Sequence, residues 1–147
     1  MASWLEISRS NLRHNVKTFR SLLSPQTKLL AVVKANAYGH GQKEIVALLQ
    51  NNKDVDGFAV FTLAEALTLR RQTVKPILVL GYWPNETAAL CQAARTNIIL
   101  PVKNLIEARR LQRLGIPLAV QIKIDVGTRR LGIDHRQAVA EIKKIQK

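Results

Sequence analysis

The residues best suited to covalent chemistry lie around Lys34. This lysine ends an apolar run and precedes a loop of small residues, in the segment Leu30-Ala31-Val32-Val33-Lys34-Ala35-Asn36-Ala37-Tyr38-Gly39-His40-Gly41. A buried strand end disfavours a charged ammonium group, and a neutral lysine amine can form a Schiff base with a carbonyl compound. Gly39 and Gly41 allow a tight turn that brings backbone close to a ligand. From the strand pattern alone, however, a lysine that extends into solvent is the commoner case.

A second polar group follows another apolar run. It includes Lys123, Asp125 and Arg130, in the segment Val120-Gln121-Ile122-Lys123-Ile124-Asp125-Val126-Gly127-Thr128-Arg129-Arg130-Leu131-Gly132-Ile133. An arginine suits a carboxylate ligand because its planar guanidinium group can donate two parallel hydrogen bonds. Taken alone, the segment favours a buried pair of Lys123 and Asp125 with a solvated Arg130.

The elements that would position these residues alternate along the chain. Five short apolar runs without period-two alternation predict strands buried on both faces, at 28–35, 57–62, 76–81, 97–102 and 118–125. The run 4–7 is interpreted as an extra strand outside the main sheet. Between the strands, apolar residues at helical spacing predict helices at 10–23, 41–52, 85–96 and 103–114, one that begins at Thr62, and a last one that begins between Asp134 and Gln137. Thr62 and Glu65 have the spacing of an N-terminal capping box.

Strands that alternate with helices predict right-handed βαβ units in a parallel sheet. We expect an α/β fold, namely a partial (β/α)8 TIM-type barrel with about five parallel strands and flanking helices. A complete barrel typically needs about 250 residues, and this chain has 147. An open Rossmann-like sheet is the alternative, but no Gly-x-Gly-x-x-Gly sequence follows any predicted strand.

The composition is basic, with 23 Lys and Arg against 10 Asp and Glu and a net charge of +13. Such a balance favours a phosphate ligand or a polyanionic partner. The basic residues are spread over predicted helices, and aromatic residues make up only 5%, too few for a base-stacking surface. We therefore predict no nucleic-acid partner.

Cys91 is the only cysteine, so no disulfide forms within the chain and no Cys/His cluster predicts a zinc site. No apolar run approaches the roughly 18 residues of a membrane span, and the N-terminus lacks the pattern of a signal peptide. We expect no metal, no membrane partner and a cytoplasmic location.

Residues 34–41 resemble the pyridoxal 5'-phosphate (PLP) lysine signature of the alanine racemase family. Related barrels, such as the basic amino-acid decarboxylases, share a shorter form, and the Tyr-Gly-His-Gly extension points to racemases. The resemblance extends in order over essentially the whole chain. It implies that Lys34 binds PLP covalently and is catalytic, and that Tyr38 lies beside the cofactor and helps to hold its phosphate.

The 120–133 segment resembles the family's segment in which a strand lysine and an arginine frame the active site. The resemblance implies that Arg130 binds the substrate carboxylate and that Lys123 is carbamylated, so that the resulting anion orients the arginine. The segment departs from the family pattern at Val126, where threonine is usual, at Thr128, where methionine is usual, and at Arg129, which adds a charge. These departures bear on Lys123 and the local substrate geometry rather than on Lys34.

The resemblance also implies a domain organisation. Residues 1–147 correspond to the N-terminal part of the PLP-binding barrel, and the C-terminal barrel strands and the β domain are absent. Family members are homodimers in which a tyrosine of the partner's β domain supplies a second base. The implied activity is the interconversion of L-alanine and D-alanine for cell-wall synthesis, which we expect to be impaired in a truncated chain. A PLP-binding barrel protein without racemase activity and an inactive racemase remnant are the alternatives.

Overall fold

The centre of the molecule is a sheet of five parallel strands in chain order. In the computed structural model, which describes residues 3–84 and 86–146, they are β1 (Leu30–Val32), β2 (Gly57–Thr62), β3 (Ile77–Tyr82), β4 (Ile98–Val102) and β5 (Val120–Ile122). Each strand pairs with the next one along the chain. This order is that of consecutive βαβ units, because each parallel neighbour must be reached by a crossover. The predicted α/β class with five parallel strands is confirmed.

Helical segments precede the sheet and join its strands. They are α1 (Arg9–Ser21), α2 (Lys34–Tyr38), α3 (Gln42–Leu49), α4 (Leu63–Arg70), α5 (Thr87–Arg95), α6 (Leu105–Arg113) and α7 (Ala138–Ile145). The side chains of Ser8, Thr62 and Asn104 accept hydrogen bonds from free backbone N–H groups at the starts of α1, α4 and α6. Asn85, the first residue of one predicted helix, and Lys147, toward which the last one runs, lie outside the described residues.

One face of the sheet packs against the helices and forms the core. Phe58 and Val60 of β2, Ile77 and Val79 of β3, and Leu100 of β4 are fully buried on this face. The helices cover them with apolar residues at helical spacing, namely Val46, Leu49, Leu63, Ala66, Leu69, Leu90, Ala93 and Leu111. Each fully buried Leu, Ile, Val or Phe contributes about 1.5–3 kcal/mol, so this layer supplies most of the drive to fold.

The opposite face of the sheet is more open. The register places Val32, Ala59, Leu78 and Ile99 side by side on this face. Val32 is 41% exposed, and Leu78 and Ile99 are half-buried. In a barrel this face points toward the barrel interior.

The structure corrects the sequence prediction in three places. The predicted strand 28–35 is shorter, and Lys34 begins α2 instead of ending the strand. The predicted strand 118–125 is broken at Lys123 into β5 and β6 (Ile124–Asp125), and β6 pairs with β7 (Ile133–Asp134), which was not predicted. The strand predicted at 4–7 is absent from this described part of the chain. These errors share a cause: period and composition do not report which backbone groups find a non-local partner.

Candidate active site

Lys34 and Lys123, two of the polar residues singled out in the sequence, lie at the carboxyl ends of strands, together with residues of β2 and β3. Lys34 follows β1 after one intervening residue, Val33. Phe61 lies near the end of β2, Gly81 near the end of β3, and Lys123 directly after β5. Because parallel strands run in one direction, these positions share one edge of the sheet, which is the edge where barrel enzymes place catalytic groups.

The chain turns sharply after Lys34 through left-handed backbone. Ala35, Asn36 and Ala37 have φ between 49° and 54° and ψ between 43° and 51°, and Tyr38 has φ of 55°. None of these residues is glycine, and left-handed helical backbone costs an L-residue roughly 1–2 kcal/mol. The turn is closed by Gly39, whose φ is 86°, and by donation from the Gly41 N–H to the Asn36 carbonyl at 3.0 Å. Several strained residues in succession persist only where the surroundings hold them, which is typical of functional sites.

The carboxylate of Glu65, on α4, holds the start of this turn. Its Oε1 accepts a hydrogen bond from the Ala35 N–H at 2.8 Å, and its Oε2 accepts from the N–H groups of Phe61 and Thr62, each at 2.9 Å. Burial acts to raise the pKa of Glu65, but donation by the Ala35, Thr62 and Phe61 N–H groups outweighs it, so the pKa lies below its ordinary value. The carboxylate is therefore held in its ionised form.

A single aromatic ring brings two predicted site residues together. The Lys34 Nζ lies 5.6 Å from the centroid of the Phe61 ring and 5.6 Å from that of Tyr38. The guanidinium carbon of Arg130 lies 5.8 Å from the same Phe61 centroid. These distances fall within the range of a cation–π contact. Lys34 and Arg130, which are far apart in sequence, thus approach the same Phe61 ring, and Tyr38 joins them through its contact with Lys34.

Asp125 shapes the loop that carries Arg130. Its Oδ2 accepts a hydrogen bond from the Arg130 N–H at 2.7 Å, and its Oδ1 accepts from the Gly127 N–H at 2.9 Å and the Thr128 hydroxyl at 3.2 Å. Donation from Gly127 foremost, with that from Arg130, Arg129 and Thr128, lowers the pKa of Asp125 to about 2. The acidic residue at the strand end therefore orders the loop instead of standing free.

Lys123 lies at the break between β5 and β6. Its backbone N–H donates to the Val102 carbonyl and its own carbonyl accepts from the Ile133 N–H, both at 2.8 Å. Within residues 3–84 and 86–146, its ammonium group forms no ion pair. The buried pair of Lys123 and Asp125 considered from the sequence is thus wrong, because the Asp125 oxygens are taken up by the loop.

A cleft of about 850 Å³ opens beside Arg130. It lies between the start of α6 and the 125–136 loop, and Lys103, Asn104, Arg129 and Arg136 are among its lining residues. Of the described residues, Lys34, Tyr38 and Phe61 are not part of its wall. Arg130 therefore borders both the ring that faces Lys34 and a polar cleft whose wall carries four basic and three acidic side chains.

The comparisons with known proteins identify the family of this chain. The family model described as "Alanine racemase, N-terminal domain" matches residues 7–147. The chain belongs to the alanine racemase family. This assignment confirms the resemblance inferred from the 34–41 segment, and the five strands with their helices are part of the TIM-type barrel of that family.

Individual relatives give the same picture. The chain is 41% identical over 133 residues to an alanine racemase of Lactobacillus delbrueckii subsp. bulgaricus, covering 87% of this chain and 35% of the relative. It is 37% identical over 149 residues to one of Methanococcus maripaludis, covering 97% and 39%. The alanine racemase of Clostridium difficile 630 in complex with cycloserine matches with a TM-score of 0.82 and 35% identity, covering 94% and 39%. The chain thus spans between a third and two fifths of the length of these relatives.

Two contributors to the site were missed at the sequence level. Phe61 was treated only as part of an apolar strand, although its position near the end of the strand next to β1 is the signal that it borders Lys34. Glu65 was identified only as a capping residue, since its contact with Ala35 spans 30 residues and leaves no local pattern.

Two features are absent from the described part of the chain. None of its helices is long and apolar enough to cross a membrane. In residues 3–84 and 86–146, no group of three or more His, Cys, Asp or Glu side chains comes together that would hold a metal ion.

Proposed function

We propose that this chain supplies the PLP-binding lysine and the carboxylate-binding arginine of an amino-acid racemase that interconverts L-alanine and D-alanine. The observation that carries the proposal is the approach of Lys34 and Arg130 to one ring, Phe61, at the carboxyl ends of the strands. Membership of the alanine racemase family supports it. We place the protein in the cytoplasm, where the D-alanine that it produces would be a precursor for the cell wall.

The side chains around Lys34 fit PLP in chemical type. Covalent attachment of its aldehyde needs an amine, and Lys34 presents one between the rings of Tyr38 and Phe61. Tyr38 is 61% exposed, so its hydroxyl is available to the cofactor phosphate. When bound, PLP supplies the electron sink that makes the Cα proton of an amino acid removable.

The chain's own residues would then perform three tasks. Lys34 as a neutral amine takes up the Cα proton on one face of the substrate, and as the resulting ammonium group it returns a proton to that face. Arg130 binds the substrate carboxylate through two parallel hydrogen bonds and so fixes which face of Cα meets Lys34. Lys123, if carbamylated, places an anion at the break between β5 and β6 and orients the guanidinium group of Arg130.

The remainder of the catalytic cycle belongs to the whole protein. Since the matched relatives are more than twice as long as this chain, the proposal includes homodimerisation and a second base from outside residues 1–147. We place Lys34 on one face of the substrate and that second base on the other.

The test uses the purified chain and PLP. Incubation with PLP, reduction with borohydride and peptide mapping should place the reduced cofactor on Lys34. Lys34→Arg should abolish this labelling, whereas Lys53→Arg, a change at an exposed lysine, should leave it intact. Labelling scattered over surface lysines, equal in wild type and Lys34→Arg, would overturn the proposal and leave the inactive-remnant alternative.

A further inference from the structure

The carboxylate of Glu65 makes more contacts than its helix requires. A capping box needs the Glu65 side chain to accept from the Thr62 N–H and the Thr62 hydroxyl to accept from the Glu65 N–H, and both bonds are present. Glu65 also accepts from the Phe61 N–H and, across 30 residues of sequence, from the Ala35 N–H. The carboxylate therefore joins the end of β2, the start of α4 and the turn after β1.

The contact with Ala35 falls where the backbone conformation changes hand. Ala35 directly follows Lys34 and is the first residue with positive φ, at 49°. An isolated Ala-Asn-Ala sequence favours right-handed backbone, so the left-handed turn needs a restraint from outside itself. Glu65 provides one at the first peptide group of the turn.

The contact with Phe61 fixes the residue whose ring the Lys34 amine approaches. The Phe61 backbone donates to Glu65 Oε2, and its ring is the one that the Lys34 amine and the Arg130 guanidinium group approach. One carboxylate thus holds both the backbone that follows Lys34 and the backbone of Phe61, and so controls the distance between the Lys34 amine and the Phe61 ring. Hydrogen bonds to an ionised acceptor are about twice as strong as neutral ones, which suits this role.

We propose that Glu65 is a positioning residue that holds the left-handed turn after Lys34 against the end of β2, so that the Lys34 amine faces Phe61 in the orientation needed to attack the PLP aldehyde. The identity of the aldehyde rests on the proposed function, but the placement of the turn does not. The ionised carboxylate is essential because it only accepts hydrogen bonds. An amide in its place turns an NH2 group toward one of the backbone N–H donors.

The experiment compares Glu65→Gln with Thr62→Ala. Thr62→Ala removes the hydroxyl cap of α4 and the donation from that hydroxyl to Glu65 Oε2 at 3.3 Å. It leaves the Ala35, Phe61 and Thr62 backbone donors to Glu65 in place, so it controls for a loss of helix stability. Two quantities are measured in each chain: hydrogen exchange of the Ala35 amide without cofactor, and the rate at which PLP with borohydride labels Lys34 relative to other lysines.

Glu65→Gln should speed Ala35 exchange and slow selective Lys34 labelling, each by about tenfold or more, the size expected for loss of a charge-assisted hydrogen bond. In Thr62→Ala, the Ala35 exchange rate and the selective labelling of Lys34 should change only as much as the loss of global stability explains. Equal behaviour of the two variants would reduce Glu65 to a helix cap and overturn the proposal. If wild type does not label at Lys34, the proposed function fails, and Ala35 exchange alone then decides the role of Glu65.

Should Glu65→Gln fail to fold, the unchanged chain settles the question. A scalar coupling across the hydrogen bond, from the Ala35 amide nitrogen to the Glu65 carboxyl carbon, should be measurable by NMR. Its absence, with the corresponding coupling from Thr62 present, would show that Glu65 caps α4 without holding the turn.

Discussion

Gly81 lies directly against the ring of Phe61. A Cβ atom at position 81 would stand 2.3 Å from Cε2 and 2.5 Å from Cζ of that ring, far inside van der Waals contact. The absence of a side chain at position 81 on β3 therefore leaves room for the Phe61 ring. Because Lys34 and Arg130 both approach this ring, Gly81 contributes to the site through the position of Phe61.

Gly81→Ala should displace the Phe61 ring. Overpacking of this kind costs about 1–3 kcal/mol of unfolding free energy, which urea denaturation measures. The same variant should lower selective PLP labelling of Lys34. In a double-mutant cycle, Phe61→Leu should relieve the clash, so the double variant should be more stable than the sum of the single changes indicates. Strict additivity would mean that the ring does not rest on Gly81.

Arg130→Ala should weaken binding of amino acid to the PLP-loaded chain. Loss of a bidentate, charge-assisted contact to the carboxylate should raise the dissociation constant for L-alanine by about tenfold or more. Arg130→Lys should give an intermediate value, because an ammonium group keeps the charge but not the paired geometry. Isothermal titration calorimetry measures both.

Arg129→Ala is the matched control, since it removes the same charge one residue away. If Arg129→Ala weakens binding as much as Arg130→Ala does, general positive charge rather than the guanidinium group beside Phe61 is responsible for the affinity.

The Asp125 loop should resist acid. Backbone donation from Gly127 foremost lowers the pKa of Asp125 from 3.8 to about 2. A carboxyl with a depressed pKa in the folded chain adds stability that is complete above the unfolded value and is lost as the pH falls through the folded one. At about pH 3, between these values, Asp125 should stay mostly ionised.

NMR of the Asp125 carboxyl carbon tests this expectation. A short peptide of residues 123–132 serves as the unfolded reference and should titrate near the ordinary aspartate value. In the unchanged chain, the amide resonances of Gly127 and Arg130 should shift as Asp125 is protonated near pH 2. Asp125→Asn should abolish these shifts. A midpoint in the folded chain equal to that of the peptide would contradict the loop geometry.

The sequence predicted the sheet better than the site. Strands β2, β3 and β4 were placed to within a residue at either end, because each is a short apolar run covered by helices, and local pattern reports burial. The left-handed turn escaped prediction because Ala35, Asn36 and Ala37 carry no local signal for it, and its anchor, Glu65, lies on another helix. The pairing of β6 with β7 escaped for the same reason, since it depends on a loop folded around Asp125.

The arrangement of Lys34, Tyr38 and Arg130 was predicted as far as a family signature reaches. Their types and positions were identified from two segments of the sequence. What was not predicted is the ring that both Lys34 and Arg130 approach, because Phe61 belongs to a strand whose pattern indicates only burial. Aromatic residues at strand ends acquire a role from their neighbours in space, which one sequence does not report.

Within the 120–133 segment, Gly132 is the position where an added methyl group should reduce stability most. Its φ is 127°, and a Cβ there would meet the Asp125 nitrogen at 2.8 Å and the Lys123 oxygen at 2.9 Å. Both are backbone atoms, so relief requires movement of β7 away from β6 and from Lys123, the residue before β6, whose carbonyl accepts from the Ile133 N–H. Gly115 is the matched control, with a φ of 60° and no atom within 4 Å of the added Cβ.

Gly115→Ala should cost about 1 kcal/mol, the penalty of left-handed backbone alone. Gly132→Ala should cost roughly 2 kcal/mol or more, because a clash with fixed backbone adds to the conformational penalty. Urea denaturation of both variants gives the comparison. Gly132→Ala should also speed amide exchange at Ile133 and weaken L-alanine binding through Arg130, whereas Gly115→Ala should do neither. Equal losses of stability in the two variants would mean that the 125–133 loop can open to accept the added methyl group. The hydrogen bonds to Asp125 would then not be sufficient to fix the position of Arg130.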